Sequence, residues 1–169
     1  MKALESEGLN CIGCPGTCCT YEANSMLITP LEALELFQYL KQTGNLDGEL
    51  IEKLKSSVKN FRLEAKFTGS RSYLRKSYTC PFYHHKELGC ALPNEVKPYG
   101  CLAFNSHHKE FKAGHECYSE KELLEARENH HPEEKELNEK VARDFHLLWD
   151  KAPIPVALLE FIAADPGQD

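Results

Sequence analysis

The chain has 169 residues, a formal net charge of −6 at pH 7 and 41% hydrophobic residues. The acidic balance speaks against a general nucleic-acid binder, whose phosphate contacts need a basic face. No run approaches the ~20 apolar residues of a membrane-spanning helix. The hydrophobic content instead supports a single domain over residues 1–169 that needs no disulfide framework to fold.

The opening stretch, Met1 to Gly8, reads as neither signal nor transit peptide, which points to the cytoplasm, where thiols are reduced and available to metals. Cys11-Ile12-Gly13-Cys14-Pro15-Gly16-Thr17-Cys18-Cys19 follows, with four of the chain's eight cysteines. The Cys11–Cys14 pair closes a tight turn able to aim two sulfurs at one ion. Cys18 and Cys19 are adjacent, and in extended backbone neighbouring side chains point to opposite faces. That arrangement fits two neighbouring centres, or one cluster gripped from two directions, better than one closed tetrahedral site.

Helix is predicted next. Thr29 is an N-cap, Pro30 stands at the first helical position, and Glu32 completes a capping box. Leu31, Leu34, Leu36, Phe37 and Leu40 supply its apolar face, and Gly44 ends it. A second helix starts near Asp47, with the stripe Leu50, Ile51, Leu54, Val58 and Phe61. Residues 68–79 are basic, aromatic and hydroxyl-rich, and read as loop with a short extended piece. There Arg71, Tyr73, Arg75, Lys76 and Tyr78 either cover the thiolates nearby or meet an anionic cofactor or partner.

From Cys80 to Cys117 no period is sustained, and Cys80, Cys90, Cys101 and Cys117 stand singly among prolines and glycines. A free loop of this length is unexpected in a compact domain; metal ligation would replace the missing hydrophobic order. Helix returns at Ser119, with Glu122 as its capping-box partner. Pro132 opens a further helix whose stripe is Leu137, Val141, Phe145, Leu148 and Trp149, and Val156 to Ala164 forms a short apolar helix. The expected fold is therefore mainly α: helices packed with an irregular, metal-stapled cysteine-rich lobe. The cysteine-cluster region spans about 10–118, and a C-terminal helical segment about 119–164.

Cys-x2-Cys-x3-Cys-Cys, followed by Cys80-Pro81-Phe82, Gly89-Cys90 and Lys97-Pro98-Tyr99-Gly100-Cys101 with Phe104, resembles the YkgJ-type cysteine-cluster proteins. The resemblance covers about residues 10–104, with Cys117 as the eighth cysteine. It implies zinc or iron chelation, and relates the chain to a domain also found in flagellin lysine N-methylases. Where such proteins often carry Arg-Pro before a cysteine and Cys-Arg within it, this chain has Lys97-Pro98 and Cys101-Leu102. Lysine lacks the bidentate fork of arginine, so anion recognition is altered while the ligands are untouched.

The eight cysteines are the candidate metal ligands. Zinc sites usually pair sulfurs in short knuckles, and this chain has one such pair. Common ferredoxin spacings do not match either, while thiolate ligation suits both metals. An iron–sulfur cluster and zinc therefore both stand as cofactors. His84-His85, His107-His108 and His130-His131 read as solvated residues. His115, two before Cys117, is the best histidine candidate by ligand type. No phosphate-cradling loop, nucleophile elbow or dinucleotide fingerprint is present. The expected function is metal binding, in electron transfer or metal handling and with room for a protein partner; the alternative is a protein-modifying enzyme related to the methylases.

Overall fold

The computed structural model describes residues 16–66, 68–69, 71–84, 86, 89–105, 118–119 and 131–165. Among these the fold is mainly α. Helix α1 (Pro30–Gln42) begins where the capping box places it: Glu32 N–H donates to Thr29 Oγ1 at 3.4 Å, and Thr29 N–H donates to Glu32 Oε2 at 2.8 Å. These bonds satisfy two of the amides that a helix start leaves without a partner. Helix α2 (Gly48–Phe61) starts on Asp47, whose Oδ1 accepts from Leu50 N–H at 2.8 Å. Its apolar stripe buries Leu50, Leu54 and Val58.

The core forms where α1 and α2 meet the C-terminal helix. That helix, which we label α5 (Ile154–Ala164), is apolar nearly all round, as a helix covered on several sides must be. It packs against both α1 and α2. Phe161 is fully buried, stacked on Phe37 at 5.9 Å between ring centroids and tilted against Phe145 at 4.8 Å. Between these lie the single turn α3 (Tyr99–Leu102) and the helix α4 (His131–Asp144). α4 packs on α1, and Asn138 Oδ1 accepts from Leu31 N–H at 2.8 Å.

Two short antiparallel pairs close the chain on itself. Strand β1 (Leu27–Ile28) pairs with β4 (Ala152–Pro153) in the register Leu27↔Pro153, which fixes the entry to α1 beside the entry to α5. Strand β2 (Phe104–Asn105) pairs with β3 (Tyr118–Ser119). The helix expected from Ser119 falls on residues outside those described.

Two expectations are corrected. The stripe ending in Leu148 and Trp149 is not one helical face: α4 stops at Asp144, and His146 takes a left-handed φ of 54°. Leu147 N–H then bonds back to Ala142 C=O at 2.8 Å. Leu137, within α4, is exposed; past the turn Leu148 is exposed too, and Trp149 enters the core, where its Nε1–H donates to Glu160 Oε2 at 2.7 Å. The cysteine-bearing stretch is also not devoid of hydrophobic order. Tyr78, Cys80, Phe82, Tyr83 and Leu92 all belong to the same buried cluster as the helices. Isolated anchors of this kind leave no periodic trace in sequence. Among the described residues, no helix is long and apolar enough to cross a membrane.

Candidate metal centre

Thr17–Cys19 forms one 3-10 turn, closed by Cys19 N–H to Gly16 C=O at 2.7 Å. The backbone at the adjacent cysteines is thus not extended, as the sequence argument assumed. With three residues per turn, however, consecutive side chains still diverge by about 120°. Gly16 has φ of 70°, and a Cβ on it would collide with the Tyr83 ring. Glycine therefore permits both the left-handed backbone and the close seat against Tyr83.

That seat brings the front motif to the scattered cysteines. Tyr83 forms an antiparallel bridge with Cys90, and Tyr83 N–H donates to Cys80 C=O at 3.1 Å. Cys80 N–H in turn donates to Cys19 C=O at 2.7 Å, a main-chain bond between the two segments. Residues 19–24 and 78–80 run side by side from there. Tyr21 N–H donates to Thr79 Oγ1 at 3.3 Å, Tyr78 N–H to Asn24 C=O at 2.9 Å, and Asn24 Nδ2 to Tyr78 C=O at 2.9 Å. The Tyr78 phenol is fully buried; it donates to Met26 C=O at 2.8 Å and accepts from Ile154 N–H at 3.1 Å.

Cys101 arrives from the other side, on α3. Tyr99 N–H donates to Glu32 Oε1 at 2.9 Å, so the carboxylate that caps α1 also holds the turn carrying Cys101. Cys101 N–H donates to Pro98 C=O at 2.8 Å. Gly100 packs so closely on Met26 that a Cβ there would lie 2.6 Å from Sδ.

The electrostatics link four of these thiols. Burial pushes the Cys80 thiol well above its ordinary range, and charge on Cys19, Cys101 and Cys90 adds to the effect. Cys101 keeps part of its surface exposed, yet its sulfur is desolvated and is pushed up likewise. There Cys19, Cys90 and Glu32 raise it further, against the positive charge of Lys97, which favours the thiolate. The Tyr78 hydroxyl is also pushed up, by burial first and then by charge on Cys80. Cys19, Cys80, Cys90 and Cys101 therefore share one neighbourhood in which anions repel each other in poor solvent. A cation among them would reverse that balance, with each ligating thiol giving up its proton. Thiolates as a ligand type are soft, the kind that zinc and iron–sulfur clusters take.

Cys18, Cys19, Cys80, Cys90 and Cys101 have no disulfide among them. Among the described residues, no group of three or more His, Cys, Asp or Glu side chains stands arranged to hold a metal ion. Cys11, Cys14 and Cys117 lie outside the described residues, as do His85, His107, His108, His115 and His130; His84 is exposed.

The stretch read as basic and aromatic is used for packing. Tyr73 is buried and donates to Glu160 Oε1 at 2.8 Å. Arg71 pairs with Asp150 at 3.2 Å, Arg75 bonds Ser25 Oγ at 3.0 Å, and Lys76 bonds Arg62 C=O at 2.6 Å. A groove of about 380 Å³ lies between α1, α2 and the bridge at Tyr83, lined by Tyr39, Leu50, Phe82, His84 and Leu92 among others. Arg71, Tyr73 and Arg75 are not part of its lining.

Sequence reasoning took Glu32 for a helix cap alone, and it did not single out Met26 or Tyr83. Their roles depend on partners dozens of residues away. The local signals, a buried-type aromatic and a glycine within the motif, did not name those partners. No protein-family model, no curated protein and no solved structure matches this chain.

Proposed function

We propose that this chain is a metal-binding protein whose centre, an iron–sulfur cluster or zinc, takes thiolates from both cysteine segments. Cys11, Cys14, Cys18 and Cys19 would come from the front, and Cys80, Cys90, Cys101 and Cys117 from the scattered set. The observation that supports this reading is the main-chain bond from Cys80 to Cys19, which joins the two cysteine segments, with Cys90 bridged to Tyr83 close by. The resemblance to the YkgJ-type cysteine-cluster proteins supports it, as does the softness of a donor set made of thiolates. Bound metal would staple residues about 10–118 into an ordered lobe against the helices, in a reducing compartment such as the cytoplasm. Iron–sulfur chemistry would supply electron transfer; zinc would supply structure or metal handling.

The test is to purify the full chain without air or chelator and to measure metal and acid-labile sulfide per chain. Iron with sulfide and broad visible absorption identifies the cluster, and zinc without sulfide identifies the other form. Cys90→Ser together with Cys101→Ser should lose metal and open residues 80–101 to protease. Full metal content in that double variant would overturn the two-segment site. Neither metal above trace in the wild-type chain would overturn the reading.

A further inference from the structure

Tyr73 and Tyr78 turn into the core, while most of the cations beside them in sequence stay at the surface. Residues 59–76 hold six cations and one acid, in a chain whose formal net charge is −6. The fold draws four of these cations together. Lys66 bridges Tyr73 in antiparallel register, Leu74 N–H donates to Ala65 C=O at 3.0 Å, and Lys76 Nζ donates to Arg62 C=O at 2.6 Å. The chain leaving α2 therefore runs back along residues 73–76, and Arg62, Lys66 and Arg75 are exposed there. Arg71 has a carboxylate of its own in Asp150. Among the described residues, Arg62, Lys66, Arg75 and Lys76 form no ion pair. Their contacts are with neutral groups: Lys66 Nζ lies 4.9 Å from the Tyr73 ring centroid, and Arg75 Nε donates to Ser25 Oγ. Lys76 serves the end of α2, where the helix dipole favours a cation. Glu64, exposed, is the one acid of the stretch, so a positive surface remains on an acidic protein.

What accompanies the cations narrows the anion they fit. Single-stranded nucleic acid stacks on exposed aromatics, and both tyrosines here are buried. Stable attachment to a membrane surface takes apolar side chains beside the cations. The large apolar side chains exposed among the described residues are Tyr21, Leu137 and Leu148, all outside this stretch. A small anion would need a pocket, and the groove between α1 and α2 is lined by other residues. We propose that this face docks an acidic segment of a partner protein, whose carboxylates meet Arg62, Lys66 and Arg75. Such docking is steered by charge, weak and sensitive to salt. It stands apart from the metal reading, since no cysteine takes part.

The experiment follows the fluorescence anisotropy of a dye-labelled peptide of alternating glutamate and serine, titrated with the full chain. Binding should weaken about tenfold or more as sodium chloride rises from about 20 to about 200 mM. Arg62→Glu, Lys66→Glu and Arg75→Glu combined should weaken it about tenfold or more at the lower salt. Lys55→Glu, Lys135→Glu and Lys140→Glu combined change the net charge equally, on α2 and α4, and should stay within about threefold of wild type. Should the first triple variant lose its helical circular dichroism, Lys66→Gln with Arg75→Gln decides, with about threefold weakening expected. Wild-type affinity in the patch variant, equal losses in both triple variants, or no binding by the wild-type chain overturns the proposal. Tighter binding to oligothymidylate or to phosphatidylserine vesicles at the same salt overturns it too, and reassigns the face to nucleic acid or membrane. A wild-type dimer in sedimentation that the patch variant dissociates would likewise overturn it, in favour of a second copy of this chain.

Discussion

Helices α1, α2 and α5 bury Leu36, Leu54 and Phe161 completely, and each turn of helix adds another apolar side chain to the same cluster. Residues 78–101 reach that cluster through separate anchors, Tyr78, Cys80, Phe82, Tyr83 and Leu92. Between the anchors the chain is held by single long-range hydrogen bonds, such as Cys80 to Cys19 and Tyr99 to Glu32. The first region gains its order from repetition, so the loss of one contact is shared among neighbours. The second gains its order from long-range contacts set at intervals along the chain. A site built on the second plan is the natural place for an added ion to matter, because metal binding and folding free energy are linked.

The largest expected effect lies in the helical region. Trp149 is fully buried and bonded to Glu160, so Trp149→Ala should cost about 3–5 kcal/mol in urea unfolding. If the helices are the foundation of the whole chain, protease sensitivity at 80–101 should rise with it. A variant that melts the helices and leaves residues 80–101 protected would show that the comparison has the dependence reversed.

Tyr78→Phe tests the join. It removes a donor from Met26 C=O and an acceptor from Ile154 N–H while keeping the ring. The expected loss is about 1–3 kcal/mol, measured by the same unfolding curve. Both regions should loosen together, since the phenol touches each. A loss confined to proteolysis at 80–101 would make the two regions more independent than drawn here.

The smallest effect concerns α1 alone. Burial, then charge on Glu32 and Glu134, pushes the Glu35 carboxyl above its ordinary range. The folded state therefore holds that proton more tightly than the unfolded chain. This contribution is fully present below the ordinary carboxylate range and is lost as pH rises through the raised value. Glu35→Gln should thus be more stable than wild type at pH 7, and the advantage should vanish in acid. Glu35 is exposed at the surface, so screening holds the gain to a few tenths of a kcal/mol. No gain at neutral pH in thermal melts would remove the proposed repulsion.

The helix starts were legible because they rest on neighbours. Thr29, Pro30 and Glu32 sit within four positions, and Asp47 lies three before Leu50. The end of α4 was not legible, because Leu148 and Trp149 keep helical spacing on paper while the backbone turns at His146. Tyr73 and Tyr78 looked like surface among their basic neighbours. Their partners, Glu160 and Ile154, lie 87 and 76 residues away, and nothing local announces them. For the cysteines, spacing alone suggested that front and scattered segments belong together. That Cys80 bonds to Cys19 beside the Gly16–Tyr83 seat is a contact made in three dimensions.

The Tyr78 phenol bridges residues 26 and 154, and beside it β1 pairs with β4. The backing of the cysteine corner is therefore synthesised well after the front cysteines. At about 5–20 residues per second, Cys19 emerges on the order of ten seconds before Ile154 exists to meet Tyr78. Throughout that interval the front thiols are tethered to a chain whose closing piece has yet to be made. The Tyr78 phenol can take up its bond from Ile154 only once residue 154 has been made.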